Sequence, residues 1–331
     1  MRARHALALG AVLITLVGCS TNASMPRPEP LAVFGNLKTI EIAPVLLAGA
    51  QIADPPVPVG AGGLPNLVGE ASGQAPGERA DLGTHAETQA LRYSVRHPDL
   101  RIIMTIAEGH YSIIARRSAG ISRLTDLKGK RIATSPPTSA GYFLHKMLKH
   151  AGLSASDITL VPLRDLSKAV DIVGAGEADA VAIWEPYSED VRALLGEDAI
   201  AFSGEGIYRE RFNLNTTAGK LSDPAKRQQI VAFVRAIMIA ARAIEKDPAA
   251  AKALVAQAGG FTPVQVERAW EHHSFPAALA PDLLDVLVEE ERWLAEAEKR
   301  EPRSRAQLSS LIDRSIVDEA AAGLRTEDTG K

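Results

Sequence analysis

The chain contains 331 residues, 46% of them hydrophobic and 23% charged, a composition that excludes a disordered or fibrous protein. Its 37 basic and 40 acidic residues give a net charge of −3, so electrostatics offers no attraction to nucleic acid. The one cysteine excludes a disulfide within the chain and a cysteine-rich zinc site, and the length predicts about two domains.

The N-terminal segment has the order of a secretory signal. A basic start at residues 1–4 precedes 12 apolar residues at 6–17, whereas a membrane span needs about 20. Leu16-Val17-Gly18-Cys19 resembles a lipobox, the cleavage and lipidation signal of bacterial lipoproteins. This implies a signal peptide at 1–18, lipidation of Cys19 and a proline-containing tether at 19–37. The mature protein would be lipid-anchored in the periplasm, where there is no ATP or NAD pool, so no cofactor is expected. The alternative is a buried helix with an incidental cysteine.

Strand-like and helix-like segments alternate from Lys38 onward, a pattern typical of an α/β protein with parallel sheets. Runs rich in β-branched residues predict strands at residues 39–45, 100–106, 111–115, 130–134, 158–162 and 180–184. Residues 139–150 predict a helix with one apolar face that ends at Gly152, and a further helix begins at Asp165.

The C-terminal third is predicted to be helical. Asp223-Pro224 and Asp247-Pro248 each place a cap before a first-turn proline, and Thr262 and Gln265 have the spacing of a reciprocal capping pair. A long charged helix is predicted at residues 282–299. Residues 54–77 contain six glycines and five prolines, which predicts a loop with a short helical piece near 64–71.

Several segments resemble one family when they are taken in order along the chain. They are Ile121 to Ala133, the hydroxyl-rich turn Ser135 to Tyr142, Ala178 to Tyr187 with its Trp184-Glu185-Pro186, and the tail around Leu311-Ile312-Asp313. Together they are similar to periplasmic substrate-binding proteins of ABC importers. The group is the sulfonate-, taurine- and nitrate-binding and thiamine-precursor-like (SsuA/THI5-like) family.

The resemblance implies a type II periplasmic-binding-protein fold, in which two α/β lobes are joined by two hinge crossings. The crossings are expected near residues 113–116 and 213–217. Residues 38–115 and 213–331, including the C-terminal helices, would then form the first lobe, and residues 116–212 the second. The implied protein is a monomer that captures a small ligand, anions included, and delivers it to an ABC permease and its ATPase.

The first candidate binding segment lies at a helix start in the second lobe. In open sheets, ligands bind beyond the carboxyl ends of strands, where helix N-termini present free N–H groups. Ser135, Thr138, Ser139, Ala140, Gly141 and Tyr142 follow the strand that ends at Thr134. Their hydroxyl and N–H groups would hold an anionic or polar group. The alternative is an ordinary helix cap that binds nothing.

The resemblance places further binding candidates around the same cleft; they are Thr84, His85, His110, Trp184, Glu185 and Asn213. Residues 83–87 would form the matching turn of the first lobe, where His85 either binds the ligand or is a surface histidine. Trp184 would form an apolar wall or pack within its lobe. Glu185 is expected to hold neighbouring N–H groups, because its charge would repel an anionic ligand.

The turns that carry these candidates contain no arginine or lysine, so no bidentate clamp for a sulfonate or carboxylate is evident. This predicts a ligand that is weakly charged or largely apolar. A ligand-sensing lipoprotein without transport has the same features.

An enzyme of the thiamine- or menaquinone-precursor branch would need a nucleophile and a base. By residue type alone, Ser135 or Ser139 could be the nucleophile and His85 or His110 the base. No nucleophile-elbow sequence supports such a pair. Adjacent His272 and His273 would point apart on a helix, which argues against a metal site.

Overall fold

The computed structural model describes residues 29–73 and 79–329. The predicted signal peptide and Cys19 lie outside these residues, as does most of the predicted tether. Of the helices within the described ranges, none is both long and apolar enough to cross a membrane.

The described strands form two separate sheets. The larger sheet consists of β1 (Val33–Gly35), β2 (Val59–Ala61), β3 (Leu82–Ala86), β4 (Leu100–Gly109), β10 (Glu210–Thr217) and β11 (His273–Ser274). The smaller sheet consists of β5 (Ser112–Arg116), β6 (Arg131–Thr134), β7 (Thr159–Pro162), β8 (Ala180–Ile183) and β9 (Ala199–Ser203). Their orders are β11-β4-β10-β3-β1-β2 and β7-β6-β8-β5-β9. The predicted two-lobed α/β fold is confirmed, and we call the larger-sheet unit lobe 1 and the smaller-sheet unit lobe 2.

Helices cover both sheets. They are α1 (Ala43–Leu47), α2 (Leu64–Val68), α3 (Glu87–Ser94), α4 (Ser139–His150), α5 (Ala169–Gly174), α6 (Tyr187–Leu195), α7 (Ala218–Ser222), α8 (Pro224–Lys246), α9 (Ala249–Gly259), α10 (Pro263–Trp270), α11 (Leu283–Ala297), α12 (Arg305–Ser309) and α13 (Ser315–Thr329). Local capping sets several of their starts, as predicted. The Asp223 carboxylate accepts from two N–H groups of the first turn of α8, and Thr262 and Gln265 form the reciprocal pair at α10.

The chain crosses between the lobes twice. It leaves β4 at Gly109 and enters β5 at Ser112, and it returns through residues 204–209 to β10. The crossings predicted at 113–116 and 213–217 were therefore wrong by a few residues. Those segments lie inside β5 and β10, because most of their residues pair with a strand of the same sheet on either side.

The strand predicted at residues 39–45 is a turn that leads into α1. Pro44 stands in the first turn of this helix, a position that suits its fixed φ and its missing N–H. Ile40, Ile42 and Val45 are buried in the lobe 1 core. These residues are apolar because they are buried from several sides, and not because they form a strand. The first strand of the lobe lies earlier in the chain, at β1.

Two further predictions for lobe 1 change. Residues 83–86 belong to strand β3, which pairs with β10, so the expected turn is replaced by a direct passage from β3 into α3 at Glu87. In the segment predicted as a loop, the short helix is confirmed as α2, and β2 was missed. Three residues of β2 extend the sheet edge beside β1, and residues 74–77 lie outside the described chain.

The buried hydrophobic clusters of the two lobes are separate. Side chains from β4, β10, α1 and α8 fill the core of lobe 1. Lobe 2 has two cores, with residues of α4 in one and of α5 and α6 in the other. The two lobes are therefore internally packed units that meet along a cleft.

Candidate functional site

A small cavity lies in the cleft, where strand ends of both lobes meet. It has a volume of about 20 Å³, room for one or two water molecules. Its lining comes from the segments after β1, β6 and β8, from the end of β3 and the start of α3, from the first crossing and from β10; it consists of Asn36, Thr39, Glu41, His85, Ala86, Gln89, Tyr111, Thr138, Ser139, Trp184, Glu210 and Phe212. The carboxyl ends of parallel strands lie at the same edge of a sheet, and the cavity forms where such edges of the two sheets face each other.

Four of the predicted binding residues line this cavity: His85, Thr138, Ser139 and Trp184. The Thr138 hydroxyl already accepts from the Ala140 N–H at 3.2 Å, so it caps α4. Ser139 Oγ lies 3.0 Å from the Tyr111 hydroxyl. Part of the hydroxyl-rich turn is thus used in holding its own helix and the crossing strand.

The other predicted residues lie away from the cavity lining; they are Thr84, His110, Ser135, Ala140, Gly141, Tyr142, Glu185 and Asn213. Thr84 Oγ1 accepts from the Asn36 N–H, and the Ser135 carbonyl accepts from the Thr138 hydroxyl at 2.8 Å. Gly141 packs so closely that an added Cβ would lie 2.1 Å from the Pro136 carbonyl oxygen. These residues shape the segments around the cavity.

Tyr142 and His110 face a different pocket, beside the second crossing. Asn213 is fully buried in the lobe 1 sheet, where its amide bonds Thr105 Oγ1 at 2.9 Å and the Arg211 carbonyl at 2.8 Å. Glu185 is buried as well and accepts from the Glu189 N–H at 3.0 Å, which is the role that charge repulsion predicted for it.

Sequence reasoning missed two carboxyl groups of the cavity, Glu41 and Glu210. They are 1% and 3% exposed, and one oxygen of each has no hydrogen-bond partner in the structure. Burial raises the pKa of Glu41 to about 7, and burial together with the charge of Glu41 raises that of Glu210 well above its usual value. Glu41 interrupts the apolar run Ile40 to Ala43, which is the signal that could have identified it.

The cavity histidine is neutral. Burial, followed by the nearby charge of Arg92, lowers the pKa of His85 to about 4. Its Nδ1 accepts from the Ala86 N–H at 3.2 Å, so the ring proton belongs on Nε2. Within the described chain, the cavity lining contains no lysine or arginine. The site therefore has carboxyl groups without a facing cation.

Comparison with known families assigns the chain. The family model described as NMT1/THI5-like matches residues 70–251, more than half of the sequence. The chain belongs to the NMT1/THI5-like family. Curated protein sequences give no match.

Solved structures share the fold of this NMT1/THI5-like protein. The alkanesulfonate-binding protein SsuA from Xanthomonas axonopodis pv. citri, bound to MOPS, is 23% identical over 87% of this chain and 99% of that chain, with a TM-score of 0.65. The periplasmic aliphatic sulphonate-binding protein SsuA from Escherichia coli is 18% identical over 85% and 91%, also at 0.65. The desulfurization enzyme DSZB is 15% identical over 88% and 99%, at 0.60. Since binding proteins and an enzyme share this fold, the fold does not decide between the two activities.

Direct contacts outside the cavity join the lobes of the NMT1/THI5-like protein. The Arg92 guanidinium donates to the Pro137 carbonyl at 2.9 Å. On other parts of the cleft rim, Lys146 Nζ lies 2.7 Å from Glu289 and the Gln265 amide donates to Asp190 at 2.7 Å. These bonds hold the lobes against each other around the cavity.

One group of possible metal ligands also spans the lobes. Donor atoms of Glu185, Glu189 and His272 lie within 4.8 Å of one another. Glu189 pairs with Arg192 at 2.9 Å and with His272 at 3.6 Å, so ion pairing accounts for the cluster. The neighbouring His273 is in β11 and is buried beside Glu41, so the two histidines point apart as predicted, although they follow α10 instead of lying on a helix.

Proposed function

We propose that this protein is an extracytoplasmic solute-binding lipoprotein that captures a small molecule between its lobes and delivers it to an ABC permease and its ATPase. The supporting observation is the cavity, whose lining comes from both lobes and from the crossing residue Tyr111. Because the cavity of about 20 Å³ has room for only one or two water molecules, a larger ligand occupies it with the lobes less tightly closed than here and still contacts both. Ligand binding therefore shifts the equilibrium from separated to joined lobes.

Binding is favoured over catalysis by the surroundings of the cavity serine. Ser139 Oγ contacts the Tyr111 hydroxyl, which is not a base at neutral pH, because burial raises the Tyr111 pKa well above its usual value. A sensing lipoprotein would use the same closure without transport. Stimulation of a permease-bound ATPase by the loaded protein separates these two roles.

The receptor function predicts stabilisation by a ligand. Full-length protein, purified in detergent, is unfolded thermally with sulfonates, nitrate, carboxylates, pyrimidines and amines. At about a hundredfold over its dissociation constant, a ligand stabilises the protein by about 2.7 kcal/mol, which raises the midpoint by several degrees. Trp184→Ala should weaken the effect while the ligand-free protein stays folded. The absence of a shift with every compound would contradict the receptor function.

The lipid anchor is tested separately at Cys19, which lies outside the described residues. We expect Cys19→Ser to remove the lipidation site and to release the protein from membranes into the soluble periplasmic fraction. Fractionation followed by immunoblotting measures the change, and Ser20→Ala is the matched control. Membrane retention of the Cys19→Ser variant would contradict the lipobox.

A further inference from the structure

The cavity holds two carboxyl groups that bond each other, with Glu210 also bonded to Tyr111, and each of them keeps one oxygen without a partner. Glu41 lies in the turn between β1 and α1, and Glu210 begins β10. Both side chains are more than nine-tenths buried, both line the cavity, and Oε2 of each has no hydrogen-bond partner. A buried oxygen without a donor is costly, so such atoms mark a place that a ligand completes.

The two carboxyl groups lie close together. Gly109 is the last residue of β4. A Cβ added to it would stand 3.3 Å from Glu210 Oε2 and 3.5 Å from Glu41 Oε1. One small group can thus reach both side chains. Gly109 leaves space there because it has no side chain.

Neighbouring charged groups do not neutralise this pair. His273 Nε2 is 3.3 Å from Glu41 Oε1, but His273 Nδ1 bonds the Ala269 carbonyl, and burial lowers the His273 pKa. The neutral ring therefore turns an acceptor nitrogen toward Glu41. Arg211 follows Glu210 in sequence, yet its guanidinium is bound to Asp282 at 2.6 Å.

We infer that the ligand of this cavity is a small nitrogen base, an amine or amidine, that presents N–H donors to Glu41 and Glu210. The inference rests on the proposed receptor function and names its ligand class. The free carboxyl oxygens accept N–H bonds whether the groups are ionised or not, and ionisation adds attraction to the cationic ligand. A sulfonate offers only acceptor oxygens to them. Trp184 supplies an aromatic face against which a planar amidinium can pack, and its buried indole N–H, which also has no hydrogen-bond partner, can bond an acceptor atom of the same ligand.

Matched ligands test this class on the full-length protein. Benzamidine and benzenesulfonate share a benzene ring and differ in the head group, whereas ethylamine and ethanesulfonate share an ethyl chain and differ in the same way. We expect benzamidine or ethylamine to raise the unfolding midpoint and the sulfonates to leave it unchanged. In calorimetric titration, Glu210→Gln and Glu41→Gln should each weaken binding about tenfold or more, because a charge-assisted hydrogen bond is lost.

The control is Glu177→Gln, which changes an exposed carboxylate of lobe 2 and should keep affinity within about twofold of the wild type, as expected for a surface site. Circular dichroism checks that each variant is folded, and the two cavity variants test the site independently.

Binding of benzenesulfonate without benzamidine would overturn the nitrogen-base inference and leave the receptor function standing. Equal binding of benzamidine by wild type and both cavity variants would overturn the inference too. If none of these four compounds binds, the nitrogen-base inference is contradicted. The receptor function is contradicted only if no compound of the wider panel binds either.

Discussion

Replacing Glu291 by alanine is expected to lower the free energy of unfolding by about 3–5 kcal/mol, the usual cost of breaking a buried ion pair. Glu291 is fully buried on α11 and accepts from Arg300 Nη1 at 2.5 Å and from Arg303 Nη2 at 2.8 Å. Burial opposes its ionisation, but the hydrogen bonds from Arg303 and Arg300 hold its pKa at about 2. The substitution leaves two partly buried guanidinium groups without their shared carboxylate.

The damage extends to α3. Arg303 also donates to Ser94 Oγ at 2.8 Å and to the Leu91 carbonyl at 2.9 Å, so Glu291 positions the side chain that joins α11 to α3. Urea unfolding followed by circular dichroism measures the loss. Glu296→Ala, on an exposed position of the same helix, is the control for helix propensity. A similar, small effect of both substitutions would show that the network does not stabilise the fold.

Raising the pH from 5 to 8 should destabilise the ligand-free protein, and Glu87→Gln should flatten that dependence. Burial, and then the charge of Glu210, raises the pKa of Glu87 from 4.5 to about 8. Between these values the folded protein binds more protons than the unfolded chain. The stabilisation that comes from protonated Glu87 is complete below pH 4.5 and is lost as the pH rises through 8. The expected loss is on the order of a few kcal/mol.

The contacts of Glu87 explain the choice of variant. Its carboxyl accepts from the Tyr208 hydroxyl at 2.6 Å and from the Arg211 N–H at 2.8 Å, and glutamine keeps an acceptor but cannot ionise. Thermal midpoints at four pH values between 5 and 8 give the slope for each protein. Glu197→Gln, which alters an exposed carboxylate, should keep the wild-type slope. An unchanged slope in Glu87→Gln would contradict the assignment of this proton to Glu87.

Features that depend on a few consecutive residues could be predicted from the sequence. The start of α8 at Asp223-Pro224 and that of α10 at Thr262 follow from side-chain caps that act within one turn. The strand at 39–45 was wrong because a short apolar run fits a strand and a buried turn equally well. Its outcome depends on packing in the lobe 1 core, which a local pattern does not contain.

The candidate site could be predicted only in part for a related reason. Thr138, Ser139 and Trp184 follow strand ends that the sequence indicates, and they do reach the cavity. Glu41 and Glu210 are distant in sequence and meet because β10 inserts between β3 and β4. A single glutamate normally predicts a solvated surface position, and the register of a long-range strand pairing is needed to show otherwise.

The bonds on the cleft rim have a kinetic consequence. Arg92 to Pro137, Gln265 to Asp190 and Lys146 to Glu289 join the lobes without lining the cavity. In the proposed receptor, breaking these bonds widens the access to the cavity, so we expect the association rate to rise with the fraction of time that the lobes stand apart. Escape requires the same rupture, which lengthens the residence time. In the proposed receptor, the rim bonds would thus set how fast the ligand is exchanged, and the cavity lining would set which ligand is bound.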